Sequence, residues 1–201
     1  VQFRPAAAVG LALCETSDFA DLVGGAVYDI AQDMSFDAVR VSDDCFEAHV
    51  GDKRLVPSAI PEGWDGESVR VLITNYNNAS VTQRAEVEQK LWNEGFYVSP
   101  GSHSSMVDLV HMAVLRLTDA VIDFRMFQKN ERGDSDSVLT LKEVAAAIPV
   151  CLGCGWRVTD CRGADWSKFR ISDPLSLLAA RPAVHDKLLA IIKPFIDRWE
   201  N

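Results

Sequence analysis

Val69-Arg70-Val71-Leu72-Ile73-Thr74 is a run rich in β-branched residues, and Ala120-Val121-Ile122-Asp123-Phe124 is a second apolar run of strand length. The chain between them carries helical spacing. Ser80 to Gln83 has capping-box spacing and opens a helix that Gly95 closes. Phe96-Tyr97-Val98 reads as a short strand, and Met106, Leu109, Val110, Ala113, Val114 and Leu117 form one helical stripe. Leu139 to Ala147 then reads as helix and Pro149-Val150-Cys151-Leu152 as strand. The order β-α-β-α-β-α-β over Val69 to Leu152 predicts an α/β fold with a largely parallel sheet flanked by helices.

Towards the C-terminus, Lys129 to Asp136 is a charged excursion expected to be an exposed loop. Leu188, Leu189, Ile192, Phe195, Ile196 and Trp199 then build a terminal amphipathic helix, which Pro194 should kink or split. Towards the N-terminus, Pro57, Pro61, Gly63 and Gly66 mark a loop, so an internal boundary at 57–67 is expected within a single domain over 1–201. Ala38 to Val41 and Cys45 to Val50 alternate as two half-buried strands, followed by a turn at Gly51-Asp52-Lys53. Phe19, Leu22, Val23, Ala26, Val27 and Ile30 follow helical spacing behind an N-cap at Ser17 or Asp18. Gly24 and Gly25 inside that helix cost about 1 kcal/mol each relative to Ala, so close packing is expected there. Ala6 to Cys14 fits a strand or a helix equally well.

The bulk composition narrows the function. With 201 residues, 48% of them hydrophobic and 24% charged, the chain buries a substantial core. A formal net charge of −9 argues against a nucleic-acid partner, which needs a basic face. No run of about 18 apolar residues is present, so no membrane span is expected. Val1-Gln2-Phe3-Arg4-Pro5 lacks a secretory signal, and Val1 fits removal of an initiator Met. The five cysteines are an odd, scattered set, which points to buried thiols in a reducing, intracellular compartment.

Cys151-Leu152-Gly153-Cys154, with Cys161 following, is the sharpest local motif. CxxC is half of many zinc sites and the core of redox dithiols. No second CxxC or nearby His completes a four-ligand set, so no metal or cofactor is expected; a structural metal at Cys151, Cys154 and Cys161 is the alternative. His49, His103, His111 and His185 fall into no metal or triad spacing, and His103 sits in a turn suited to capping a helix.

Two family resemblances follow. The strand Val71-Leu72-Ile73-Thr74, the helix from Ser80, the run Thr118 to Asp123 and the stretch Ser135 to Val150 loosely resemble nucleoside deoxyribosyltransferase-like and Toll/interleukin-receptor-like α/β domains. That resemblance implies a catalytic carboxylate on the last helix, which makes Glu143 the candidate, with Asp119 as a second carboxylate. The sequence departs from the family where Val138 replaces a glycine and where Asn75-Tyr76-Asn77-Asn78 offers no phosphate cradle. The opening Val1 to Pro5, the Phe19 to Ala31 segment and the strand pair near Val39 and Glu47 resemble neck (head–tail connector) proteins of long-tailed bacteriophages. That implies a non-catalytic virion assembly subunit, a homo-oligomer with protein partners, made in the host cytoplasm. The sequence as a whole is read as such an assembly protein without a catalytic residue, with a nucleoside-handling enzyme using Glu143 as the alternative.

Overall fold

The computed structural model describes residues 7–43, 45–57, 69–74, 81–102, 104–127 and 139–200. Among the described residues, ten strands form two five-stranded sheets. The first is an antiparallel meander of β1 (Ala8–Cys14), β2 (Leu22–Asp29), β3 (Met34–Ser42), β4 (Cys45–Val50) and β5 (Lys53–Arg54), in that order. The second contains β6 (Arg70–Ile73), β7 (Tyr97–Pro100), β8 (Ala120–Asp123), β9 (Arg157–Thr159) and β10 (Leu177–Ala180), ordered β7-β6-β8-β10-β9. Only β6 with β7 and β6 with β8 run parallel, and β10 lies antiparallel to both β8 and β9.

The helices divide between two layers. α1 (Val81–Asn93) and α5 (Pro182–Glu200) pack on the outer face of the mixed sheet. α2 (Ser105–Val110), continued by a π-turn over His111–Leu115, α3 (Leu141–Val144) and α4 (Ala147–Gly153) fill the space between the two sheets. Strand alternation sends Val121, Leu177 and Ala179 into this middle core, and Ile122, Leu178 and Ala180 into the outer one. No described helix is long and apolar enough to cross a membrane.

The structure corrects three expectations. The Phe19 to Ile30 segment is a short 3-10 turn (Phe19–Asp21) followed by strand β2, not a helix. Val27 and Asp29 point inward while Ala26, Tyr28 and Ile30 face out, so the apparent helical stripe is split across two faces. Gly25 supplies the close approach, because a Cβ there would sit 2.8 Å from the Ala146 Cα. Pro149 to Leu152 is helix α4 rather than strand. It is apolar on every side because sheets lie above and below it, so it shows no helical periodicity, and Pro149 falls in the first turn where no intrahelical donor is needed. The parallel sheet is accordingly a mixed one, accompanied by a fully antiparallel sheet.

Other expectations hold. β3, β4, β6, β7 and β8 fall where the sequence places strands. Gly95, at φ +85, closes α1, and the terminal helix is there as α5, though it runs unbroken through Pro194 rather than splitting there. Val1 to Pro5, most of the 57–67 boundary, Asn75 to Asn78, Ser80, His103 and the 129–136 excursion lie outside the described residues, as do Ser135 and Val138.

Candidate functional site at the carboxyl end of the mixed sheet

In sheets with parallel strands, ligands meet the protein beyond the strands' carboxyl ends. Here β6, β7 and β8 end together at Thr74, Gly101 and Asp123. The Thr74 N–H donates to the Ile122 carbonyl at 2.9 Å and the Gly101 N–H to the Ile73 carbonyl at 3.0 Å. α2 starts at the same end, with the Ser104 hydroxyl accepting the Val107 N–H at its N-terminus.

Two buried carboxylates meet this end of the sheet, in opposite states. Asp123 closes β8 and is saturated. Its Oδ2 accepts the Ser105 hydroxyl at 2.7 Å, and Arg125 Nε donates to both oxygens at 2.9 Å. The Arg125 backbone N–H and Nη2 add contacts at 3.1 and 2.7 Å. Such a charge pair, fully hydrogen-bonded and out of water, fixes geometry. Among the described residues Asp108, on α2, accepts from Ser102, whose N–H lies 3.0 Å from each carboxylate oxygen. Burial pushes its carboxyl above the usual Asp value; the Ser102 hydrogen bonds pull the other way. Gly101 leaves room for it, since a Cβ at Gly101 would collide with Asp108 Oδ2. The neighbouring Thr74 hydroxyl is buried and has no hydrogen-bond partner among the described residues. Thr74 and Asp108 therefore retain hydrogen-bonding capacity, and Asp123, Ser105 and Arg125 form the rigid wall beside them.

The residues singled out in the sequence lie elsewhere. Glu143 is exposed on α3, where its carboxylate accepts the Thr140 N–H at 2.9 Å in a capping box. Asp119 precedes β8 at the opposite, amino end of the sheet, accepting the Arg70 N–H at 3.0 Å and pairing with Arg181 at 3.4 Å. The two carboxylates share no partner. Cys151 and Cys154 belong to the core between the sheets, whereas Cys161 belongs to the core under α1 and α5. Burial raises all three thiols, Cys154 to about 11. Among the described residues no three His, Cys, Asp or Glu side chains converge in a way that would hold a metal ion. Sequence reasoning passed over Thr74, Asp108 and Asp123; the available signal was a polar residue ending each apolar strand, at Thr74 and Asp123.

No family model matches the chain, and no curated protein matches it. Solved structures do. The inositol monophosphatase (IMPase) of Thermotoga maritima superposes with a TM-score of 0.69 at 14% identity, over 96% of this chain and 63% of that one. The fold is that of the inositol monophosphatases. SuhB of Mycobacterium tuberculosis gives a TM-score of 0.64 at 22% identity, over 95% of this chain and 65% of its own. A staphylococcal IMPase-II, solved with inositol monophosphate bound, gives 0.65 at 16% identity, over 90% and 61%. At these identities the likeness carries the fold, and the chain spans a little under two thirds of each protein's length.

These comparisons overturn both resemblances drawn from sequence. The opening strands and the Val69 to Leu152 segment belong to one fold, and the inositol monophosphatase of Thermotoga maritima matches it over 96% of this chain. Neither a phage neck subunit with its virion location nor a deoxyribosyltransferase-like domain fits that match. The fit to the neck proteins rested on a helix at Phe19 to Ile30, and that segment is a strand in a five-stranded sheet.

Proposed function

We propose that this chain forms the substrate-holding part of a phosphate-monoester hydrolase acting on a small polyhydroxylated substrate, an inositol or sugar phosphate. The carrying observation is the under-satisfied polar pair Thr74 and Asp108 at the carboxyl end of the mixed sheet, in a chain that shares the inositol-monophosphatase fold over 96% of its length. A polyol presents several hydroxyls, each both donor and acceptor. Asp108 would accept from one and the Thr74 hydroxyl would exchange a bond with another. Asp123 holds Ser105 and Arg125 in place beside them, so this side of the site is set before substrate arrives.

In the reaction, water adds to phosphorus, the ester P–O bond breaks, and the alcohol leaves with a proton as inorganic phosphate is released. Phosphate-ester hydrolysis is often assisted by divalent cations, but the described residues do not converge on one. Thr74 and Asp108 bind and orient the alcohol portion. The test is a thermal-shift and phosphate-release panel of inositol and sugar monophosphates against a simple alkyl phosphate. A polyol phosphate should raise the melting temperature, and Thr74→Val with Asp108→Asn should remove the rise. Equal indifference to every member of the panel would sink the reading.

A further inference from the structure

Asp29 and His111 bring together two elements far apart in sequence. Asp29 ends β2 and is buried, whereas His111 opens the π-turn behind α2 and keeps 17% of its side chain exposed. The Asp29 Oδ2 lies 2.6 Å from the His111 Nε2, so that ring nitrogen carries the hydrogen. Its Oδ1 accepts the Ala31 N–H at 2.9 Å and the Gln32 N–H at 3.1 Å. Main chain thus fixes the carboxylate, and the carboxylate fixes the ring. Phe36 of β3 packs edge-on against the same ring, with centroids 6.5 Å apart, and the Gln32 amide stands 3.4 Å from Nε2. These polar contacts all fall on Nε2. Among the described residues Nδ1 has no hydrogen-bond partner.

His111 also stands one turn after Asp108. Its backbone N–H donates to the Asp108 and Val107 carbonyls. Helical side chains lean back over the preceding turn, so the ring lies over the stretch that carries Asp108. Residues three apart on a helix have Cβ atoms about 5–6 Å apart, a gap that a ligand of monosaccharide size bridges. Burial dominates at Asp108 and raises its pKa, but His111 acts on that carboxyl in the opposite sense, which places the ring within electrostatic reach of it.

We propose that His111 binds the phosphoryl group at the carboxyl-end site and that Asp29 is its positioning residue. The inference rests on the reading of Thr74 and Asp108 given above, and adds the group that tells a polyol phosphate from a polyol. A phosphate approaching a chain of net charge −9, with Asp108 in the site, needs a cation beside it. Arg125 is engaged by Asp123 and Ser105. The charged ring of His111 supplies the cation instead: Nε2 gives its hydrogen to Asp29, and Nδ1 offers the second one to a phosphoryl oxygen.

Calorimetric titration of the 201-residue protein with inositol monophosphate and with inositol separates the two kinds of recognition. The native chain should bind the monophosphate more tightly. His111→Gln should weaken the monophosphate about tenfold while leaving inositol affinity and the melting temperature unchanged. Asp29→Asn keeps an acceptor for the turn and removes the charge behind the ring, so it should give a smaller loss of the same kind. Thr74→Val should weaken both ligands alike. Should His111→Gln fail to fold, Asp29→Asn decides on the same comparison. A His111→Gln protein that discriminates as well as the native one overturns the inference and leaves the reading of Thr74 and Asp108 standing. So does one that weakens both ligands equally, as a merely structural tie would. A native chain that binds neither ligand overturns both.

Discussion

The backbone of Gly25 lies against the backbone of Ala146: a Cβ at 25 would meet the Ala146 Cα at 2.8 Å and its C at 2.9 Å, with the carbonyl oxygen closer still. This contact seats the α3–α4 junction on the antiparallel sheet, and its unyielding side is main chain. Gly25→Ala should therefore cost about 1–3 kcal/mol by overpacking. Gly51 makes a useful contrast. It sits at φ +52 with open space around it, so Gly51→Ala should cost only the ~1–2 kcal/mol of left-handed strain. Urea midpoints of the two variants measure both costs; a Gly25→Ala protein as stable as the native one would mean that the Ala146 main chain yields.

Val27 and Ile30 separate strand from helix in solution. A helix at Phe19 to Ile30 would place both on one buried stripe, whereas β2 buries Val27 and leaves Ile30 exposed. Val27→Asp should abolish soluble expression, since an unpaired buried carboxylate costs several kcal/mol. Ile30→Asp should fold with little change. Soluble yield and cooperative melting of the pair settle the register.

These two segments also show what the sequence disclosed. β6 and β8 were legible because β-branched runs in a buried sheet have few alternatives, and α1 because its capping spacing and Gly95 mark both ends. Phe19 to Ile30 was not. Its apolar residues satisfy a 3.6-residue period by coincidence, and the two consecutive glycines are explained only by packing, Gly25 against the Ala146 main chain and Gly24 against the Ala38 carbonyl. α4 was misread because full burial erases amphipathic periodicity. Of the candidate site, Thr74 and Asp123 lay in plain view at strand ends, but the convergence of Asp108 with them depends on the turn at Gly101 and the start of α2.

The thiols should differ widely in reactivity. Cys45 is exposed and Cys14 half-buried, while Cys151, Cys154 and Cys161 are buried. Burial also raises the Cys14 thiol, with nearby Asp21 adding to it. Under native conditions a thiol reagent should modify Cys45 first, Cys14 slowly, and the other three only on unfolding, giving five in denaturant. Rapid native labelling of Cys151 or Cys154 would show that the middle layer opens.

His185 should make the fold acid-sensitive. Its ring is buried, and Nε2 lies 2.9 Å from the Thr159 hydroxyl, whose own hydrogen goes to the Asp160 carbonyl. Nε2 is therefore the donor. Burial lowers its pKa, and Arg157 adds to the effect. The unfolded chain then binds the proton more readily, so this contribution is complete above about pH 6.5 and is lost as pH falls from there through the lower folded value. Urea midpoints between pH 7.5 and pH 5 should fall in the native protein, and the fall should shrink in His185→Gln.

The two buried carboxylates should respond oppositely to the same substitution. Asp123 is matched by Arg125, so Asp123→Asn removes a carboxylate counter-charge held against a buried guanidinium, at a cost of about 3–5 kcal/mol. Among the described residues Asp108 has no cationic partner in contact, and burial raises its pKa, which means that its charge is a burden to the folded state. The sign follows: its protonated form favours folding, and that advantage fades as pH rises through the folded pKa. Asp108→Asn keeps shape and removes the charge, so stability at pH 7 should stay level or rise while its slope against pH flattens. If Asp108 also receives a substrate hydroxyl, the same variant should lose affinity for a polyol phosphate by about tenfold, the ~1.4 kcal/mol of one hydrogen bond to a charged group. An Asp108→Asn protein that binds the polyol phosphate as tightly as the native one would remove Asp108 from the site, whatever its stability.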